Sequence, residues 1–226
     1  MNASRDRFAI ELRGFGPVDI IALVAIVLAP MVTVGGVAVP FGALLVLLWA
    51  RWSHTPLPEL GYGRPKSWIT SLAIGLAIGV PFKFLMKAVV MPLFGADPIN
   101  RTYHYLAGNT SILPAAIWMM LVAGFGEETV FRGYLFERLG KLIGARPGAK
   151  ATILLITSAL FALAHYPDQG VAGSEQATFT GLVFGTIFLV TGQIWIPMIA
   201  HAAFDLTALA LIYGNFESSV AHWIFK

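Results

Sequence analysis

The sequence of 226 residues contains no cysteine and few charged residues, which make up 12% of the chain. Without cysteine the protein can form no disulfide, no thiolate zinc site and no cysteine nucleophile. Ordinary soluble domains carry about 25% charged residues, so this chain cannot cover a water-facing surface. Hydrophobic residues instead make up 57% of it. We therefore predict an integral membrane protein.

Long apolar runs predict an all-α transmembrane bundle of about seven or eight helices, forming a single membrane domain over residues 1–226. A spanning helix needs about 20 mostly apolar residues. The run 18–50 is too long for one span, and Pro30 with the pair Gly35 and Gly36 predicts a break into a two-helix hairpin. Further helices are predicted at 68–94, 112–139, 151–165, 177–190 and 194–213, with a loop at 166–175 and a last segment, 220–225, too short to span.

Basic residues are concentrated in alternate predicted loops. The formal net charge is +3, and in a membrane protein this bias indicates cytoplasmic loops rather than a nucleic-acid partner. Counting the hairpin as two spans places two other loops on the opposite side, one with Asp97 and Arg101 and one with Asp168 and Glu175. We predict a multi-pass protein of the cell membrane with a cytoplasmic amino terminus and an external carboxyl terminus. The basic clusters are Arg5, Arg7 and Arg13; Arg51, Arg64 and Lys66; and Arg138, Lys141, Arg146 and Lys150.

Several ionisable residues lie inside apolar segments, where each costs at least roughly 2.5–3.5 kcal/mol on insertion scales. Interhelical hydrogen bonds could explain any one of them. Together they form a cluster on three predicted helices, which favours a functional site. Its members are Glu127, Glu128, Arg132, His165, His201 and Asp205.

Helical spacing predicts which of these side chains share a face. Residues four apart are neighbours on a helix, so Glu128 can pair with Arg132, and His201 points the same way as Asp205. Glu127 lies about 100° round the helix from Glu128. This spacing predicts a structural Glu128–Arg132 ion pair and leaves Glu127 free for chemistry.

Two further features accompany the cluster. Gly124 and Gly126 precede the acidic pair and allow a neighbouring helix or a substrate backbone to approach closely. Lys83 and Lys87 lie one turn apart in another span, where they could line a water-filled cavity or extend towards the interface. We favour a structural role for both lysines.

Three short motifs resemble those of the CAAX-prenyl-protease and bacteriocin-processing (CPBP) family, which includes type II CAAX prenyl endopeptidases and bacterial immunity or abortive-infection proteins. The resemblance covers about 112–213, the motif-bearing core. It implies an intramembrane endopeptidase, CAAX-protease-like, acting on a peptide or prenylated protein in contact with membrane lipid. The motifs are Glu-Glu-x-x-x-Arg at Glu127 to Arg132, Phe-x-x-x-His at Phe161 to His165, and His-x-x-x-Asp at His201 to Asp205.

The resemblance also implies roles for these residues. It assigns Glu127, with His165, to activating a water molecule. His201 could donate a hydrogen bond to the oxyanion, and Asp205 could fix the tautomer of that imidazole. Eukaryotic members typically carry Asn at the position of Asp205, and an ionised carboxylate can only accept hydrogen bonds. Glu128, Arg132 and Phe161 are expected to support the site.

The same residue types also permit a metal site. His165, His201 and Glu127 could bind zinc and leave an open position for water. The usual helical zinc-protease motif, His-Glu-x-x-His, is absent from the sequence. We favour a metal-free site with no cofactor, and zinc stays the alternative.

Two other functions fit the sequence less well. A family member without catalytic activity could act as a peptide-binding immunity protein. An ion- or proton-coupled transporter could use the buried acids and histidines as a proton path, and inverted repeats would support that interpretation. No such repeat is visible in the sequence.

Overall fold

The computed structural model describes residues 3–29 and 38–225. These residues form eight helices and no strand, so the predicted all-α bundle is confirmed. The predicted break at Pro30, Gly35 and Gly36 lies outside the described residues. The helices are α1 Ala3–Glu11, α2 Pro17–Leu28, α3 Ala38–Ser53, α4 Trp68–Leu93, α5 113–143, α6 Ala149–Thr191, α7 Trp195–Tyr213 and α8 Glu217–Ala221.

The helices α4, α6 and α7 are long and apolar enough to cross a membrane, whereas α2 and α3 are apolar but shorter. Many large apolar side chains on the outside of the bundle are exposed, including Ile69, Leu163 and Val190. Such a surface is suited to lipid, because contiguous exposed apolar area is rare on soluble monomers. The fold is that of a membrane protein.

Helix α6 is a hairpin of two helical arms, 149–169 and 171–191, which reverse direction at Gly170. Gly170 has φ 61° and ψ −155°, a conformation that glycine adopts without the strain of a side chain. The arms run antiparallel, because a Cβ at Gly181 would lie 3.0 Å from Ser158 Cβ and Ser174 Oγ donates to the Ala162 carbonyl. The prediction of a ten-residue loop over 166–175 is therefore wrong. Helical hydrogen bonding continues through these polar residues up to the glycine.

The connecting segments gather at two ends of the bundle. At one end Ile194 N donates to the Gly61 carbonyl over 3.0 Å, and Lys141 Nζ contacts Glu59 at 2.8 Å. We name this the basic end, because Arg64, Lys66 and Arg146 lie in its loops and Arg51, Lys141 and Lys150 lie in the adjoining helix ends. It comprises the loop 54–67, the loop 144–148 and the turn 192–194.

The opposite end holds the remaining connections. Gly108 N donates to the Tyr213 carbonyl over 3.0 Å, and Thr102 Oγ1 donates to the Asp168 carbonyl over 3.3 Å. These contacts bring together the loop 94–112, the reversal at Gly170 and the segment 214–225. The cytoplasmic orientation of the basic end stays a prediction.

Arg138 is counted with a basic loop cluster in the sequence analysis, although it also falls at the end of the helix predicted at 112–139. It lies in α5 with 1% exposure and forms an ion pair with Asp19 at the start of α2. Its guanidinium also stands 4.1 Å from the Phe15 ring centroid. A buried pair of this kind holds the amino-terminal helices against α5 instead of contributing free charge to a loop.

Helix α7 is packed between glycine faces of two neighbouring helices. A Cβ added to Gly79 of α4 would lie 2.1 Å from the Ala200 carbonyl oxygen, and one added to Gly124 of α5 would lie 2.6 Å from Ala202 N. Gly126 packs in the same close manner against α3, since a Cβ there would lie 2.7 Å from Val39 Cγ1. The predicted close approach at Gly124 and Gly126 is confirmed.

Candidate active site

A cavity of about 680 Å³ lies between α5, both arms of α6 and α7, with further lining residues from α4 and the loop 94–112. Its wall includes all four residues that the sequence predicted to be catalytic: Glu127, His165, His201 and Asp205. Helices α5, α6 and α7 each contribute to this group, so residues that are far apart in the sequence face one space. The structure therefore brings the predicted site residues together.

Glu127 lies between the two imidazoles. Its Oε2 is 3.9 Å from His165 Nε2 and 3.7 Å from His201 Nε2, beyond the length of a direct hydrogen bond. This oxygen is buried and has no hydrogen-bond partner among the described residues. Polar atoms at such separations are commonly bridged by water. The arrangement can hold one water molecule within reach of all three side chains.

Glu128 faces away from this gap and holds two other groups. Its Oε1 lies 2.8 Å from Arg132 Nη1 and 2.8 Å from His201 Nδ1, and its side chain is fully buried. The Glu128–Arg132 ion pair predicted from the helical spacing is present. Arg132 lies in a π-helical turn, Thr129–Tyr134, and it also approaches two backbone carbonyls of the second α6 arm, those of Thr180 and Gly181, at 3.4 Å.

The partner of His201 Nδ1 is Glu128 and not Asp205. The carboxylate accepts the Nδ1 proton, so a neutral His201 presents an unprotonated Nε2 towards Glu127. Asp205 Oδ2 lies 3.6 Å from that same Nε2. The four-residue spacing places Asp205 on the correct face, but packing of α5 against α7 determines which nitrogen each carboxylate meets.

His165 also has an orienting partner, for which the sequence offered no candidate. Its Nδ1 lies 2.9 Å from the carbonyl oxygen of Phe161, one turn earlier in the helix. Because a carbonyl only accepts, this contact assigns the proton to Nδ1 and leaves Nε2 of the neutral ring free towards Glu127. The His165 side chain is 19% exposed, which gives the site contact with the open cavity.

Aromatic rings form the wall behind the ionisable groups. The Phe161 ring is 1% exposed and lies 4.5 Å from the His165 ring and 4.5 Å from the Arg132 guanidinium carbon. Phe184, in the second α6 arm, lies 5.1 Å from the His201 ring. The sequence analysis identified Phe161 and missed Phe184. The nearby Gly181 and Gly185 are four residues apart and pack against Ser158 and Leu154 of the first arm, so their spacing indicated a close contact between the arms but not the contact of Phe184 with His201.

Tyr103 is a second residue that the sequence analysis missed, because it lies in the loop 94–112 and follows no helical period. Its hydroxyl lines the cavity and accepts a hydrogen bond from Gln169 Nε2 at 3.3 Å. Burial, with the negative charges of Glu127 and Asp205, raises the pKa of Tyr103 to about 12. Its phenol therefore keeps its proton at neutral pH.

The two intramembrane lysines have different partners. Lys87 Nζ lies 3.0 Å from Glu217 Oε1 in a buried ion pair, which supports the structural role predicted for it. Lys83 lines the cavity, and its Nζ donates to Gln176 Oε1 over 2.8 Å. The sequence analysis considered a cavity wall and the membrane interface as positions for these lysines. Lys83 lies in the cavity wall.

The zinc alternative can be compared with these distances. Ligand atoms bound to one tetrahedral zinc stand about 3.3–3.6 Å apart. The two measured separations from Glu127 Oε2 to the imidazole nitrogens, 3.7 and 3.9 Å, are slightly longer. Within residues 3–29 and 38–225 no group of three or more His, Asp or Glu side chains is arranged to hold a metal ion. Glu127, His165 and His201 would have to move closer together to bind one.

Comparison with known proteins gives a match over the motif-bearing core. The family described as type II CAAX prenyl endopeptidase Rce1-like matches residues 109–207, a segment that contains all three motifs. The chain is also 26% identical over 171 residues to an uncharacterized 24.3 kDa protein of Escherichia coli, covering 74% of this chain and 73% of that protein. No solved structure matches the chain. The family resemblance predicted from the motifs is confirmed.

Proposed function

We propose that this protein is an intramembrane endopeptidase, CAAX-protease-like, which hydrolyses a peptide bond with a water molecule activated by Glu127. The observation that carries the proposal is the buried Oε2 of Glu127, which has no hydrogen-bond partner among the described residues and faces two imidazole nitrogens at 3.7 and 3.9 Å. A general base must lie within reach of the proton that it abstracts, directly or through the reacting water. The family match over residues 109–207 supports a peptidase.

In the proposed reaction Glu127 accepts a proton from the water while the water oxygen bonds to the substrate carbonyl carbon. The carbonyl π electrons move onto oxygen and form a tetrahedral oxyanion. Protonated Glu127 then gives its proton to the amide nitrogen, the C–N bond breaks and the carbonyl reforms. One carboxylate thus serves as base and then as acid, and the chain's side chains end in their starting states.

His165 and His201 position the water and the developing charge. His165, held by the Phe161 carbonyl, directs Nε2 to the water. His201 can donate from Nε2 to the oxyanion only as the cation, because Glu128 already accepts its Nδ1 proton. The carboxylates of Glu128 and Asp205, at 2.8 and 3.6 Å, flank this ring and can compensate its positive charge.

The proposed setting is the bilayer of the cell membrane. The chain crosses it several times, with the basic end and the amino terminus on the cytoplasmic side, as the charge bias predicts. The substrate is a peptide or a prenylated protein whose scissile bond enters the cavity between α5, α6 and α7. No metal or other cofactor takes part in the proposed steps.

The proposal is tested by comparing Glu127→Gln with the wild type on prenylated and unprenylated peptides. We expect cleavage to fall by at least about 100-fold, the usual contribution of a positioned acid or base, with normal folding. Glu11→Gln is the matched control, because the Glu11 side chain is 44% exposed and lies in α1 away from the cavity. Equal cleavage by Glu127→Gln and wild type contradicts the proposal. Peptide binding by a wild type that cleaves nothing would indicate the non-catalytic, peptide-binding alternative.

A further inference from the structure

Lys83 is a buried cation that forms no ion pair with a described carboxylate. The residue is 7% exposed. Its ammonium donates to Gln176 Oε1 at 2.8 Å and stands 4.7 Å from the centroid of the Phe204 ring. A buried ammonium carries three donor hydrogens and is strongly destabilised when its charge is uncompensated. These contacts use one donor hydrogen of the ammonium, and no described carboxylate lies within ion-pair distance of it.

Lys87, one turn further along α4, shows how the fold treats a lysine that has a structural role. Its Nζ lies 3.0 Å from Glu217 Oε1, and the same carboxylate accepts from the Asn100 backbone N–H. Both members of this pair are buried. Lys83 has no such carboxylate partner among the described residues, so a bound anion could take the place that Glu217 takes at Lys87.

The position of Lys83 identifies where such a group would bind. Lys83 lines the main cavity, together with Glu127, and also a second cavity of about 230 Å³ next to it. The polar side chains shared by the two cavities can all donate hydrogen bonds. A junction with one cation and several neutral donors suits a singly charged anion. The shared polar residues are Lys83, Asn100, Thr102, Gln169 and Gln176.

We propose that Lys83, with Gln176 beside it, forms a subsite that binds a carboxylate of the peptide substrate. The inference rests on the proposed peptidase function, since it takes the occupant of the main cavity to be a peptide. The carboxylate is either the terminal α-carboxylate or an acidic side chain near the scissile bond. Binding pairs the buried ammonium and anchors the peptide while its scissile bond lies beside Glu127.

A different role for Lys83 predicts a different result. If the lysine only balances the negative charges of Asp205 and Glu217, its removal should weaken cleavage of every peptide by a similar factor. If it binds a carboxylate, its removal should affect only peptides that carry one. The ratio of two substrates on one enzyme separates these roles, because that ratio does not depend on the fraction of folded protein.

The experiment uses the full-length protein and three fluorogenic peptides of otherwise identical sequence: a free terminal acid, a terminal amide, and the amide with one Glu beside the scissile bond. We expect the wild type to favour a carboxylate-bearing peptide over the plain amide by about 10- to 100-fold in kcat/KM, mostly through KM, as for a charged hydrogen bond. Preference for the peptide with a free terminal acid would indicate that the subsite binds the α-carboxylate. Preference for the peptide with Glu would indicate that it binds an acidic side chain. Lys83→Met should abolish the preference, and Lys83→Arg should retain most of it.

Lys87→Met is the matched control, because it removes a neighbouring buried lysine that already has a partner. It should lower stability and leave the substrate ratio unchanged. Fluorescence anisotropy of the same peptides tests the subsite without turnover, so an inactive wild type counts against the proposed peptidase and not against the subsite. Equal affinity of the wild type for all three peptides, or an unchanged preference in Lys83→Met, overturns the inference.

Discussion

Arg132→Met should destabilise the fold strongly, because it leaves a buried carboxylate without its cation. The Arg132 side chain is 1% exposed and the Glu128 side chain 0% exposed, with 2.8 Å between Nη1 and Oε1. Methionine has a similar length and retains apolar contact with the Phe161 ring. The main change is therefore electrostatic: Glu128 keeps only the His201 imidazole as a hydrogen-bonding partner among the described residues.

The size of the effect follows from this burial. Breaking a fully buried pair by removing one member destabilises by about 3–5 kcal/mol, whereas replacing both members by neutral groups is often tolerated. For a chain of this length 1 kcal/mol shifts the melting temperature by about 2–4 °C, so we expect a loss of roughly 6–20 °C. The double variant Glu128→Gln/Arg132→Met should recover much of that loss, since no uncompensated charge remains.

The assay is thermal unfolding of the purified protein in detergent, followed by the fluorescence of its six tryptophans. Arg101→Met is the control, because Arg101 is 86% exposed and its pair with Asp97 lies at the surface, where ion pairs contribute little. That control should not shift the transition measurably. A similarly small shift for Arg132→Met would refute the reasoning, and so would a double variant less stable than Arg132→Met alone.

Three further predictions concern topology, metal and packing. The chain lacks cysteine, so Arg146→Cys and Asp168→Cys can be labelled directly in sealed cells; the charge bias predicts labelling from opposite sides, and labelling from one side would contradict it. Active protein purified without added metal should contain well under one zinc per chain, whereas zinc near one per chain with chelator-sensitive activity would favour the metal alternative. Gly79→Ala should lower the melting temperature because its Cβ would meet the Ala200 carbonyl at 2.1 Å, while Gly140→Ala, with no atom within 4 Å, should be neutral or stabilising.

The sequence could predict the positions of helices and the contacts between residues of the same helix. Hydropathy identified the apolar helices, and four-residue spacing identified the Glu128–Arg132 pair. The three motifs also named the residues that line the cavity, because an ionisable side chain in an apolar segment is rare enough to be noticed individually. These predictions use local periodicity and composition, and both are present in the linear sequence.

Contacts between helices were harder to predict. Nothing in the spacing of His201 reveals that its Nδ1 meets Glu128, since that contact depends on how α5 packs on α7. Tyr103 reaches the cavity from an irregular loop. Because such a loop has no regular spacing of residues, the sequence did not predict which of its side chains would face the cavity. The reversal at Gly170 was predicted as a longer loop because polar residues surround it, although their backbone continues the helix up to the glycine.

The glycine faces on both sides of α7 bear on how a substrate reaches the cavity. Gly79 and Gly124 bring the α4 and α5 backbones against α7 so closely that sliding or rotation of α7 would bring side chains into contact with backbone atoms. Helix α7 is thus expected to stay fixed when the cavity opens to the lipid. Admission of the proposed peptide substrate would then require movement of another wall. The α6 hairpin reverses at a single glycine and meets the loop 94–112 through polar contacts at Asp168 and Gln169, so it is the element best able to move aside.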